Sequence, residues 1–137
     1  MTNASLAGSY LIKARARLKI LTVLLDEAAY SDAIREAQEI VELACKGILR
    51  HAGIEPPHWH DVGELLREYR ARLTPASEAD IERAVTASAW LRKEREFSFY
   101  GDIDFIPTER YGRDDAVRAI ADAQFVVALA ERIMRPV

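Results

Sequence analysis

SDAIREAQEIVELACKGILRHAGIEPPHWHDVGELL, residues 31–66, is the stretch that decides the fold. Ala33, Ile34, Ala37, Ile40, Val41, Ala44, Ile48 and Leu49 repeat at the i, i+3, i+4, i+7 spacing of one buried helix face. Gly53 ends that helix, and Pro56-Pro57 hold the chain extended until Asp61 can start the next one. Asp61-x-x-Glu64 then has the form of a capping box for a helix over Val62–Arg72. The chain therefore turns from helix to helix through a short polar loop, the signature of antiparallel neighbours.

Outward from this stretch the same period recurs. A first helix is expected from Ser5 to Glu27, with Leu6, Tyr10, Ala14, Leu18, Leu21 and Leu25 facing inward. Tyr30 and Ser31 form a tight turn, with Ser31 the N-cap of the second helix, which ends near His51. After Leu73-Thr74-Pro75, Ser77-x-x-Asp80 offers a weaker capping box for a helix over Glu78–Phe99, terminated by Gly101. A loop from Asp102 to Gly112 follows, and the last helix carries Ala116, Ile120, Ala123, Val127, Ala130 and Ile133. No run alternates apolar and polar residues between turn signals, so no sheet is expected. The expected architecture is all-α: an antiparallel up-down bundle of four long helices plus one short one, with residues 1–137 forming a single domain. A chain of 137 residues, half of them apolar, suffices for one such core, since domains commonly run to about 100–150 residues.

Charge advertises no particular partner. The formal net charge is −3, so no bulk basic surface announces nucleic acid. The distribution is uneven: Lys13, Arg15, Arg17 and Lys19 precede the first acid, Asp26, whereas the charged residues between 32 and 42 are acidic except Arg35. Lys13 with Arg17 and Arg15 with Lys19 are i, i+4 like-charge pairs, which destabilise an isolated helix. Glu36, Glu39 and Glu42 of the next helix are the nearest compensation, within the molecule or across a dimer; a nucleic-acid phosphate backbone is the alternative. The lone Cys45 lies on an apolar helix face without a basic neighbour and reads as a small buried hydrophobe. No apolar leader and no membrane-spanning run is present, so the cytoplasm is the expected compartment and no membrane contact is expected.

The fourth helix holds the sharpest anomaly. Its inward stripe of Ile81, Ala84, Val85, Ser88 and Leu91 continues at the same spacing into Arg92 and Arg95. A buried guanidinium needs a partner, so these two mark a polar pocket at the end of the bundle or at a subunit interface. The guanidinium fork suits phosphate oxygens, while Glu36, Glu39 and Asp102 are acids that could pair with it instead. Trp90 and Phe97 share a face two turns apart and read as a hydrophobic contact. His58, His60 and Asp61 look like metal ligands, but Asp61 serves as N-cap, and Pro56-Pro57 deny Glu55 and His58 a common helical face. No metal and no cofactor is expected. Glycine-rich phosphate loops and hydrolase signatures are missing from the sequence.

The order of an Ala/Glu-rich helix, Gly53-Ile54-Glu55-Pro56-Pro57, His60-Asp61 and Leu65-Leu66 resembles the HEPN family of small helical bundles. The resemblance covers roughly Tyr10 to Ile133. Ribonuclease members of that family carry an arginine followed after four to six residues by histidine; the arginine holds phosphate, the histidine acts on the ribose 2′-hydroxyl, and two subunits pool their motifs. Here Arg95 matches, but Tyr100 occupies the histidine position and no histidine follows His60. Tyrosine has an ordinary pKa near 10 against about 6.5 for histidine, so it is a weak general base at neutral pH. The resemblance implies an RNA- or nucleotide-binding subunit, non-catalytic or weakly catalytic, working as a homodimer in a toxin–antitoxin-like pair with a nucleotidyltransferase. Phosphate contact is expected at Arg92, Arg95 and His60, of which the resemblance carries over Arg95 alone, and any residual catalysis is expected at Arg95 and Tyr100. The alternatives are a metal-independent endoribonuclease using Arg95 with Tyr100 or His60, and a structural dimerisation module.

Overall fold

A computed structural model describes residues 2–56, 58 and 61–135. Helices α1 (Asn3–Asp26), α2 (Tyr30–His51), α3 (Val62–Glu68), α4 (Glu78–Phe99), α5 (Pro107–Arg110) and α6 (Arg113–Met134) follow in order, with a 3-10 turn at Arg70–Arg72. The four long ones, α1, α2, α4 and α6, form the expected antiparallel all-α bundle. Among the described residues no strand occurs, only an isolated bridge between Asp102 and Phe105. None of the described helices is long and apolar enough to cross a membrane.

α2 is the central strut. It packs against α1, α6, α4, α3 and α5, and every residue of the apolar face read from its sequence is buried. Each fully enclosed leucine or isoleucine there contributes on the order of 1.5–3 kcal/mol of transfer free energy. α4 buries Ile81, Ala84, Val85, Ser88 and Leu91 as its spacing requires, and α6 buries Ala116, Ala123, Val127, Ala130 and Ile133. α1 differs from expectation: Ala7 and Leu11 are buried with Ala14 and Leu21, while Leu6, Tyr10, Leu18 and Leu25 are only partly covered. The stripe is rotated because α1 is apolar on two sides. Ile12, Ile20 and Val23 stay exposed on the outer one, so its pattern does not define a single inward direction.

Two helix ends share one device. After α2, Gly53 has φ +81°, and its amide and that of Ile54 reach back to the carbonyls of Arg50 and Leu49 at 3.0 and 2.9 Å. After α1, the amides of Ala28 and Ala29 bond to the carbonyls of Leu25 and Leu24 at 3.0 and 2.8 Å, with Ala28 at φ +56°. Both are Schellman caps. Alanine in the left-handed position costs about 1 kcal/mol that glycine does not incur. The reversal therefore falls at residues 27–29 rather than at Tyr30–Ser31. Ser31 is no N-cap: it is buried in the first turn of α2, whose N-cap Ala29 makes no side-chain bond.

The other caps also redistribute. Thr2 accepts from the Ser5 amide and starts α1 ahead of the expected position. Asp61 caps α3 through the Gly63 amide at 2.9 Å, but Glu64 turns to Arg67 instead of closing a box. The Ser77–Asp80 pair, the weaker box on paper, is reciprocal at 3.1 and 3.0 Å. The third helix stops at Glu68, with the 3-10 turn replacing its expected last turn. Pro107 opens the short α5 inside what reads as a loop, a natural first helical position for a residue lacking an amide hydrogen.

Candidate functional site

The seam between α2 and α4 gathers the residues that carry chemistry. On α2 the polar positions Arg35, Gln38, Glu39, Glu42 and Lys46 follow the helical period on the flank of the buried face. On α4 the buried stripe passes from Leu91 to Ser98, and Arg92 and Arg95 between them are half-buried. Both arginines stand on the lip of the seam, not inside the core.

Arg95 faces two acids. Its Nη2 lies 3.4 Å from Glu39 Oε1 and its Nη1 lies 4.0 Å from Glu42 Oε2, while 43% of the side chain stays exposed. Of the acids anticipated, Glu39 is a partner and Glu36 is not; Glu36 takes Arg17 at 2.8 Å. Asp102 instead accepts from the Ile103 amide at 2.7 Å. Glu42 is the partner that sequence reasoning missed for Arg95, although its place one turn beyond Glu39 on α2 signals it. Each acid also holds a second cation: Arg35 lies 3.5 Å from Glu39 and Lys46 lies 3.9 Å from Glu42.

Beneath this layer, Arg92 borders a tight cleft with Gln38, Val41, Glu42, Val62, Ser88 and Leu91. Gln38 is buried; its Nε2 donates to Glu42 at 3.4 Å, and its Oε1 has no hydrogen-bond partner among the described residues. Ser88 Oγ donates to Asp61 Oδ1 at 3.3 Å, tying α4 to the start of α3.

The end of α4 is aromatic. The Arg35 guanidinium sits 5.1 Å above the centre of the Phe99 ring, and Phe99 meets Tyr100 edge-on at 4.8 Å. Tyr100 is 74% exposed, and no hydrogen bond joins it to Arg95 among the described residues. Gly101, at φ +67°, turns the chain back so that Phe105 packs on Phe97 at 5.2 Å and on Tyr111 at 5.7 Å. Tyr111 donates to Glu94 at 2.8 Å; burial, that hydrogen bond and the nearby carboxylates hold its proton far more firmly than usual. Trp90 and Phe97 do not form one contact. Trp90 donates to Asp122 at 2.8 Å under the Arg118 guanidinium, whereas Phe97 joins the Phe105 cluster.

The remaining expected residues fall elsewhere. His60, like Pro57, lies outside the described residues, and His58 is exposed. Cys45 is fully buried, and burial first, then the charges of Asp61 and Glu42, push its thiol up to about 12, which removes it as a nucleophile. The basic first helix is partly neutralised inside the molecule, by Arg17 on Glu36 and by Arg15 on Glu131 at 2.8 Å. The second of these partners comes from α6 rather than α2. Lys13 and Lys19 are exposed and make no ion pair among the described residues.

A small antiparallel helical bundle with an arginine-bearing seam near the end of α4 defines the class. The HEPN domain model matches residues 7–133, and the chain belongs to the HEPN family. The crystal structure of TT1696 from Thermus thermophilus is similar, with a TM-score of 0.75 and 25% sequence identity over 93% of this chain and 97% of that one. No curated protein matches the chain.

Proposed function

We propose that this HEPN chain is an RNA- or nucleotide-binding subunit whose α2–α4 seam contacts phosphate, with little or no catalysis of its own. The observation that carries the reading is Arg95, half-exposed on the seam, with the Arg35–Phe99 stack beside it. A guanidinium that solvent can reach takes phosphate oxygens in a bidentate fork, and exposed aromatic faces such as Phe99 and Tyr100 stack bases. Arg92 lends a second cation. Tyr100 offers a hydroxyl that can bond phosphate but does not accept a proton efficiently near pH 7. We extend the reading to a cytoplasmic homodimer paired with a nucleotidyltransferase in a toxin–antitoxin-like system.

The test combines binding and cleavage. Nucleotides or RNA at about 100 times the dissociation constant should stabilise the native protein by about 2.7 kcal/mol, read as a rise in thermal midpoint. Arg95→Ala should weaken binding by about ten- to a hundredfold, the size of a charged hydrogen bond's contribution. Total RNA in EDTA should survive the native protein, and a Tyr100→His variant should gain cleavage. No midpoint shift with any of these ligands would remove the reading. Cleavage by the native protein that disappears in Arg95→Ala would establish the metal-independent endoribonuclease instead, using Arg95 with Tyr100 or His60.

A second reading, a structural dimerisation module, is favoured by a separate observation. Phe97, Phe99, Tyr100, Ile103 and Ile106 are all exposed around the end of α4, and apolar clusters of that kind mark interaction surfaces. On this reading Arg95→Ala alters stability and leaves every nucleotide and RNA assay unchanged.

A further inference from the structure

We propose that Arg95 is an exchangeable cation: without ligand it is parked on Glu39 and Glu42, and an RNA phosphate draws it off them, so these two carboxylates set the affinity of the seam. The inference rests on the RNA-binding reading above and deepens it. Its basis is the redundancy of the pairing. Glu39 keeps Arg35 at 3.5 Å, and Glu42 keeps Lys46 at 3.9 Å and the Gln38 amide at 3.4 Å, when Arg95 leaves. No buried carboxylate is stranded by the transfer, which is what ordinarily makes breaking an ion pair costly. Arg95 itself is held loosely, at 3.4 and 4.0 Å, and is 43% exposed.

Loose, exposed pairing of this kind is weak, whereas a forked contact to phosphate is short and strong. The exchange therefore runs toward ligand, but each acid opposes it. Removing either negative charge should raise affinity by about two- to fivefold, the contribution of one exposed pair. Salt gives a second signature. In the native protein added salt loosens the parked state as well as the phosphate contact, so the two effects partly offset each other. Without the acids only the phosphate contact is screened, and affinity should fall more steeply with salt.

Fluorescence anisotropy with a labelled oligouridylate tests this, using the native chain, Glu39→Gln, Glu42→Gln and the double variant, each also in an Arg95→Ala background. The expected result is tighter binding and a steeper salt dependence in the glutamine variants, both abolished when Arg95 is alanine. Thermal midpoints close to native confirm that the variants fold. Unchanged or weaker binding in the glutamine variants, or a gain that survives Arg95→Ala, overturns the exchange while leaving the binding reading intact. Absence of binding by the native chain and all glutamine variants overturns both.

Discussion

Leu91→Ala should lower stability by about 3 kcal/mol, within the range of about 2–5 kcal/mol seen when a fully enclosed leucine is truncated. Leu91 has no exposed surface and fills the joint where α2, α3 and α4 meet, beside Val41 and Val62. The cost has two parts, the lost transfer of the deleted carbons and the void that three constrained helices cannot collapse around. For a chain of this size the thermal midpoint should drop by about 10 °C. Urea unfolding separates the mechanisms: the midpoint concentration should fall while the slope stays constant. Leu91→Met, which keeps the volume, should lose less than about 1.5 kcal/mol. A Leu91→Ala loss below about 1 kcal/mol, far under that enclosed-leucine range, would show that the joint is not closed.

Gly101→Ala is the second large effect, and it strikes the loop rather than the core. Gly101 has φ +67°, where a side chain is strained whatever the space. Here there is no space either: a Cβ would meet the Phe105 carbonyl oxygen and the Pro107 ring. The two terms together amount to about 3 kcal/mol. The chain can relieve them by opening the reversal, which breaks the paired Asp102–Phe105 backbone bonds, both 2.9 Å, and withdraws Phe105 from Phe97 and Tyr111. The expected result is faster tryptic cleavage after Arg110, together with a lower unfolding midpoint. A cleavage rate and midpoint equal to the native protein's would refute the account.

Local signals carried much of this fold in the sequence. The α2 face, the positive-φ glycines Gly53 and Gly101, and the Ser77–Asp80 box depend on residues within one turn of each other, so spacing alone reveals them. The family, too, was legible from the Ser31–Leu66 order. What escaped was set between helices. The rotation of α1 was hidden because Ile12, Ile20 and Val23 give it a second apolar side. The choice of Glu39 and Glu42 over Asp102 for Arg95 depends on how α2 and α4 are turned toward each other. Trp90 finds Asp122 on α6, a partner that no spacing within α4 could indicate. Ser31 looked like a cap because the left-handed turn at Ala28 uses a residue that rarely adopts it. For the candidate site, Arg92 and Arg95 stood out as arginines on an inward stripe, yet the acids around them required the assembled seam.

The position of α2 against all five other helices also orders how the molecule comes apart. A backbone amide of α2 is released to solvent only when its neighbours have already separated, so its exchange reports opening of the whole bundle. The segment from Gly101 to Gly112 is held to the bundle by the Phe105–Phe97 ring contact, the Tyr111–Glu94 hydrogen bond and the packing of the short α5 on α2 and α4, and can detach while the four long helices stay together. Arg35, Glu39 and Glu42 thus belong to the last part to move, and Phe99 and Tyr100 adjoin the first. A ligand spanning both would be gripped by a rigid half and an adaptable one.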